Sequence, residues 1–316
     1  MKPKDVLGCA GGALFLLMSS QFIPIFGVVP GLLIPLPFVY TSAKLGRLES
    51  AKVTVVSLLI VFLVGRLAGF PRAVYLCIQL GILGVVLAEL YRRRVGIGGT
   101  VFWGTATLLT VAFLFLSWIG ISRGTAPWTL VLDYFRSNLN ESVRSYQQIG
   151  LSPERVEQIQ AYSRRLIWII ERVYPALVVT GSAVVVWLNV LISRRLLRAR
   201  GLPAPEFGAL DRWRAPEALV WGFIGSGFAF LFPWPGVRFV ALNVLVVIVV
   251  VYCFHGLSIL QFYLNKYRFP RLLKIGAYIL ILMQQVLLIV LALAGLFDQW
   301  IDFRKISRNR SVPIDK

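Results

Sequence analysis

The chain has 316 residues, of which 58% are hydrophobic and 15% charged, with a formal net charge of +19 and a mean hydropathy of +0.76. A soluble domain carries roughly 45–50% apolar and about 25% charged residues, so this composition excludes an ordinary water-soluble protein and points to one that faces lipid. The basic residues sit between apolar runs, where cations anchor helices and set topology, so the charge argues against a nucleic-acid partner. The three cysteines, Cys9, Cys77 and Cys253, lie singly in apolar runs, which speaks against a disulfide framework or a C-x-x-C metal site.

In chain order the hydropathy predicts about eight to nine spans, near 5–20, 22–43, 51–69, 72–91, 99–122, 173–193, 215–232, 237–264 and 272–297. Each approaches the roughly 20 residues needed to cross a bilayer. The expected fold is therefore all-α, a polytopic transmembrane helical bundle, with residues 1–316 forming a single integral membrane domain. Lys2 and Lys4 precede the first apolar run, but membrane-grade sequence continues through Tyr40 without a signal-peptidase-like site, so the first helix is expected to stay. The second span holds Pro24, Pro30, Pro35 and Pro37, too many for an uninterrupted helix, and a broken or re-entrant segment is expected there.

Placing the N-terminus in the cytoplasm and alternating puts Lys44, Arg47, Lys52, Arg92–Arg94, Arg194, Arg195, Arg198, Arg200, Arg212, Arg214, Lys266, Arg268, Arg271 and Lys274 inside. The short outer connections then hold Arg66, Arg72 and Arg238. That asymmetry fits the positive-inside rule of a bacterial inner membrane. Nine spans, however, leave the basic polar tail of residues 298–316, with Arg304, Lys305, Arg308 and Arg310, outside.

Residues 123–172 form the one sizeable extramembrane or interfacial helical insertion. Trp128, Leu132, Phe135, Leu139, Val143 and Tyr146 recur every three or four residues and give an apolar helical face. Ser152-Pro153-Glu154 then reads as an N-cap, a first-turn proline and an acid at the positive helix end. The helix it opens is expected to run on into the sixth span past Pro175.

Enzyme signatures are missing. No Walker A sequence, H-E-x-x-H or G-x-S-x-G occurs, which argues against a built-in ATPase and the commoner hydrolases. No cofactor or metal is implied. Polar residues within the spans are the better clue, because their burial in hydrocarbon is costly. Tyr252, His255 and Ser258 form a stripe on the eighth span, joined by Gln261, while Gln284 and Gln285 lie mid-way along the ninth. These are the candidate ligand-binding residues, for a small uncharged or zwitterionic molecule; the alternative is interhelical hydrogen bonding that holds the bundle together.

Gly8 and Gly12 form a G-x-x-x-G surface on the first span, suited to close helix approach within the chain or with a partner. Trp213 and Arg214, just before the seventh span, are the other candidate partner surface. Asp298 and Asp302 share a helical face near the negative end of the last helix, where acids need answering cations. With Arg304 or another cation they are expected to form a structural charge clamp.

Several of these short segments resemble the YybS-like family of bacterial membrane proteins. They are Pro35-Leu36-Pro37, Asn189 to Arg195, Trp213-Arg214-Ala215-Pro216, Gly256-Leu257 with Gln261-Phe262, and Gly295-x-x-Asp298-x-Trp300-x-Asp302-Phe303-Arg304. The resemblance implies a multi-span inner-membrane protein and carries over no catalytic residue. That family is in turn similar to the substrate-binding membrane subunits of energy-coupling-factor transporters, which bind a small molecule among their helices and borrow ATP hydrolysis from partner subunits. Two functional expectations follow. One is a small-molecule binding or transport subunit without its own ATPase; the other is a non-transporting scaffold or regulator that docks partner proteins.

Overall fold

The computed structural model describes residues 2–22, 27–148 and 153–305, with the side chains of 71–73, 145–148 and 153 left aside. Pro24, Ser152, Arg308 and Arg310 lie outside the described residues, as does the side chain of Tyr146. Every regular element among the described residues is a helix: α1 (Pro3–Phe22), α2 (Val28–Leu32), α3 (Pro35–Lys44), α4 (Arg47–Leu67), α5 (Pro71–Arg92), α6 (Ile97–Arg123), α7 (Pro127–Gln148), α8 (Pro153–Ala199), a short 3-10 turn (Leu210–Arg212), α9 (Leu219–Leu231), α10 (Pro235–Lys266), α11 (Arg271–Met283) and α12 (Gln285–Ile301).

The span count falls below expectation. Six helices, α1, α4, α5, α6, α8 and α10, are long and apolar enough to cross a bilayer, or seven crossings if the bent pair α11–α12 counts as one. Three expected spans are not among the six. Residues 22–43 break into α2 and α3 around prolines, as the proline content predicts, and α9 has only 13 residues, about 20 Å of helix against a hydrocarbon core of about 30 Å. The last expected span splits at Gln284, where α11 and α12 meet at 103°.

The chain clusters into two compact units: residues 1–139 with 181–206, and residues 140–180 with 207–316. In the first unit, α1, α3, α4, α5 and α6 pack around Leu17, Ile34, Phe38, Val53, Val61, Leu83 and Leu87, all buried. Lipid tails are as apolar as leucine, so packing here depends on close fit. Gly84 supplies it, since a Cβ there would stand 2.6 Å from the Pro35 carbonyl oxygen.

In the second unit α10 is the central post, packed by α9 and α12. A Cβ on Gly295 would stand 2.1 Å from the Tyr252 carbonyl oxygen, and one on Gly256 2.0 Å from that of Leu291. Two backbones touch because both positions lack side chains. Contacts climb both helices together, with Tyr252 beside Gly295, His255 beside Asp298 and Tyr263 beside Phe303. The helices therefore run in the same sense, and the C-terminal ends of α10 and α12 lie at the same end of this unit. The bent α11–α12 pair brings Lys305 to the end of this unit that carries Lys266, Arg268, Arg271 and Lys274.

The helix α8 has 47 residues with Pro175 inside it, roughly 70 Å at 1.5 Å per residue. Its polar first part is continuous with its apolar second part, as the sequence predicts. Pro175 removes one backbone donor, and Asn243 of α10 repairs the neighbouring bonds. Its Oδ1 accepts from Ala176 N–H at 2.9 Å, and its Nδ2 donates to Arg172 O at 2.8 Å. These are the two groups that would bond each other in an unbroken helix.

Candidate functional site

Beside the Gly256–Gly295 contact, α10 and α12 hold a buried ionic cluster. Asp298 and Arg304 have fully buried side chains, as does His255. Asp298 is the last-turn acid of α12 and would be exposed to the negative helix end. Arg304 comes back to it because Asp302 adopts a left-handed turn (φ 46°) that ends α12, and Phe303 N–H donates to Asp298 Oδ1 at 2.8 Å.

The guanidinium of Arg304 organises the rest. Its Nη2 donates to Asp298 Oδ2 at 2.9 Å. Its Nη1 donates to Ser258 Oγ at 2.8 Å and to the carbonyls of Asp211 at 2.7 Å and Trp213 at 3.1 Å. Ser258 Oγ also lies 2.8 Å from Leu210 O and 2.9 Å from Trp213 O. Gln299 Nε2 adds a bond to Ala215 O at 3.2 Å. The non-helical backbone leading into α9 is thus tied, carbonyl by carbonyl, to side chains of α10 and α12.

The imidazole has one nitrogen for two neighbours. His255 Nε2 lies 3.1 Å from Asp298 Oδ2 and 2.8 Å from Arg304 Nη2. A guanidinium has no lone pair, so Nε2 accepts from Arg304 in one tautomer and donates to Asp298 in the other. Nδ1 is buried without a partner, and Trp213 stands edge-on to the ring at 6.1 Å. Outside this core, Arg214 pairs with Asp302 and its Nε lies 3.8 Å from Asp298. Two carboxylates and two guanidiniums cancel in formal charge, which limits the cost of burying them.

The candidate residues from the sequence separate into groups. Tyr252, His255 and Ser258 line one side of α10 as expected; the Tyr252 hydroxyl is buried without a partner. Gln261 is half-buried further along, and Gln284 and Gln285 sit exposed at the α11–α12 break, away from the cluster. A Cβ on Gly12 would stand 3.2 Å from Pro37 Cγ, while Gly8 has open space around it. Asp298 pairs with Arg304, and a further cation, Arg214, pairs with Asp302. Asn243 was not singled out; a lone asparagine among apolar residues of α10, read together with Pro175, is the signal that finds it. Among the described residues no three of His, Cys, Asp and Glu converge as metal ligands would.

These features define a polytopic helical membrane protein with a sharply bent helix pair and an internal ion-pair network. The chain belongs to the DUF2232 family of predicted membrane proteins, which matches residues 13–299. It is similar to the protein named Uncharacterized protein YybS of Bacillus subtilis (strain 168), at 20% identity over 289 residues covering 90% of this chain and 91% of that relative. No solved structure matches. The expected likeness to energy-coupling-factor subunits is not shown by the family match or the relative.

Proposed function

We propose that this integral membrane protein is a small-molecule binding or transport subunit without its own ATPase, seated in a bacterial inner membrane with its basic loops in the cytoplasm. The observation that supports it most is the fully buried Asp298–Arg304–His255 cluster where the C-terminal end of α12 meets α10. Ionisable residues held among the apolar helices of a membrane protein are candidates for ligand, ion or proton sites. The cluster is charge-balanced, so a neutral or zwitterionic molecule fits it better than a net ion. A docking role through Trp213 and Arg214 is less favoured, because Arg214 is engaged with Asp302.

The test is native mass spectrometry of protein extracted gently from its host membranes, beside the His255→Gln and Ser258→Ala variants. A retained small molecule that both variants release, with unchanged melting, supports the reading. Extraction with no bound small molecule, and no stabilisation by any member of a metabolite panel, sinks it.

A further inference from the structure

A second polar feature lies far along the chain from the ionic cluster and owes nothing to it. The C-terminal part of α7 and the N-terminal part of α8, both within the second unit, flank an open cavity of about 400 Å³ lined by Asn140, Val143, Arg144, Gln160, Ser163, Arg164 and Ile167, the two arginines being exposed. Its donors are two guanidiniums, two amides and a hydroxyl. Among the described residues neither Arg144 nor Arg164 forms an ion pair or hydrogen bond. Ser163 Oγ is itself shielded from solvent and without a partner.

Two exposed cations without acidic partners lining one open cavity favour an anion between them. A buried hydroxyl without a partner also costs free energy until something fills its bonds. A tetrahedral oxyanion satisfies both needs, because guanidiniums pair with phosphate through two parallel N–H bonds. The position along α8 narrows the source. Ile167, at the edge of the cavity, is followed by Trp168, whose ring carries the Arg172 guanidinium 3.6 Å from its centroid. Beyond Arg172 the helix turns apolar. Tryptophan and arginine at such a junction mark the headgroup layer, so the cavity opens where lipid phosphates lie.

We propose that Arg144, Arg164 and Ser163 bind a phosphate group, and that in the membrane this group belongs to the headgroup of an anionic phospholipid. A soluble phosphate has the same chemistry, and the test separates the two sources.

Delipidated full-length protein is titrated with short-chain phosphatidylglycerol, with phosphatidylcholine of equal chain length and with inorganic phosphate, and bound species are counted by native mass spectrometry. Phosphatidylglycerol is expected to bind at least about tenfold more tightly than phosphatidylcholine, and R144Q/R164Q is expected to abolish that preference. R144K/R164K keeps the charge without the fork and should retain part of it, which separates site loss from misfolding. Binding of inorganic phosphate in place of the lipid, lost in R144Q/R164Q, keeps the phosphate site and overturns the lipid source. A double glutamine variant that melts normally and binds every probe like the wild type overturns the site.

Discussion

The two units solve the same problem with different chemistry. Each contains broken helices whose freed carbonyls need donors. In the first unit most donors inside are neutral: Asn189 Nδ2 gives to Leu32 O at the end of α2 at 2.8 Å, Gln79 Nε2 to Leu108 O at 3.0 Å, and the Tyr91 and Ser193 hydroxyls pair at 2.7 Å, while Arg92 at the rim caps Ser42 O and Leu45 O at the end of α3. Its full charges stay at the helix ends, where Glu89 gathers Arg47, Arg92 and Arg93, and Asp5 meets Lys44. The second unit instead carries the charge inside, with Arg304 doing for Asp211 and Trp213 what Asn189 does for Leu32. A neutral amide can be left with one empty lone pair, as Asn189 Oδ1 is, at modest cost. A buried guanidinium cannot be left without its carboxylate. The second unit is therefore the one whose integrity depends on ionisation.

The sharpest way to break this contrast is to remove Asp298. The Asp298→Ala change leaves Arg304 buried and uncompensated and is expected to cost about 3–5 kcal/mol, read as a fall in the melting midpoint of the detergent-solubilised protein. Asp298→Leu combined with Arg304→Met should restore part of that stability, limited by the carbonyls that Arg304 caps. A single change without measurable effect would mean the cluster does not hold the unit together.

Next in size is Gly295→Ala, expected to cost about 2–3 kcal/mol because the new Cβ meets backbone and the helices must part. Gly8→Ala, with open space around it, is the matched control and should leave the midpoint unchanged. Equal losses at both would discount the close α10–α12 contact.

Asn243→Leu removes the amide that bridges Ala176 and Arg172 and is expected to cost about 1–3 kcal/mol, with faster hydrogen exchange confined to the residues after Pro175. Exchange that stays slow there would mean α8 repairs its own break. Glu89→Gln should have the smallest effect. Two of its partners, Arg47 and Arg93, are exposed and Arg92 is partly so; screening and mobility weaken such pairs, so the midpoint should not move at physiological salt. A clear fall would show that the first unit, too, relies on charge.

Much of the architecture could be read before any coordinates. Apolar runs, the prolines of residues 24–37 and the three-to-four-residue rhythm of α7 predicted spans, a break and an amphipathic helix. The misreadings were of continuity. Residues 215–232 and 272–297 have enough apolar residues to cross, yet one ends as 13 residues of helix and the other bends at Gln284. Nothing in a hydropathy window records where a chain turns. The site divides the same way: the acids at 298 and 302 demanded a cation, but Arg304 and Arg214 emerged only once α12 lay alongside α10.

By itself, then, the sequence determined that this protein lives in a membrane, that it is helical, and that its cations crowd particular connections, because hydropathy and charge are properties each residue carries wherever it lies. Only the tertiary structure decided that α11 and α12 return to the end they left, that Gly256 and Gly295 touch, and that His255, Ser258, Asp298 and Arg304 share one buried network. Those facts depend on which backbones come within a few ångströms of each other, and residues some forty positions apart carry no local mark of that meeting.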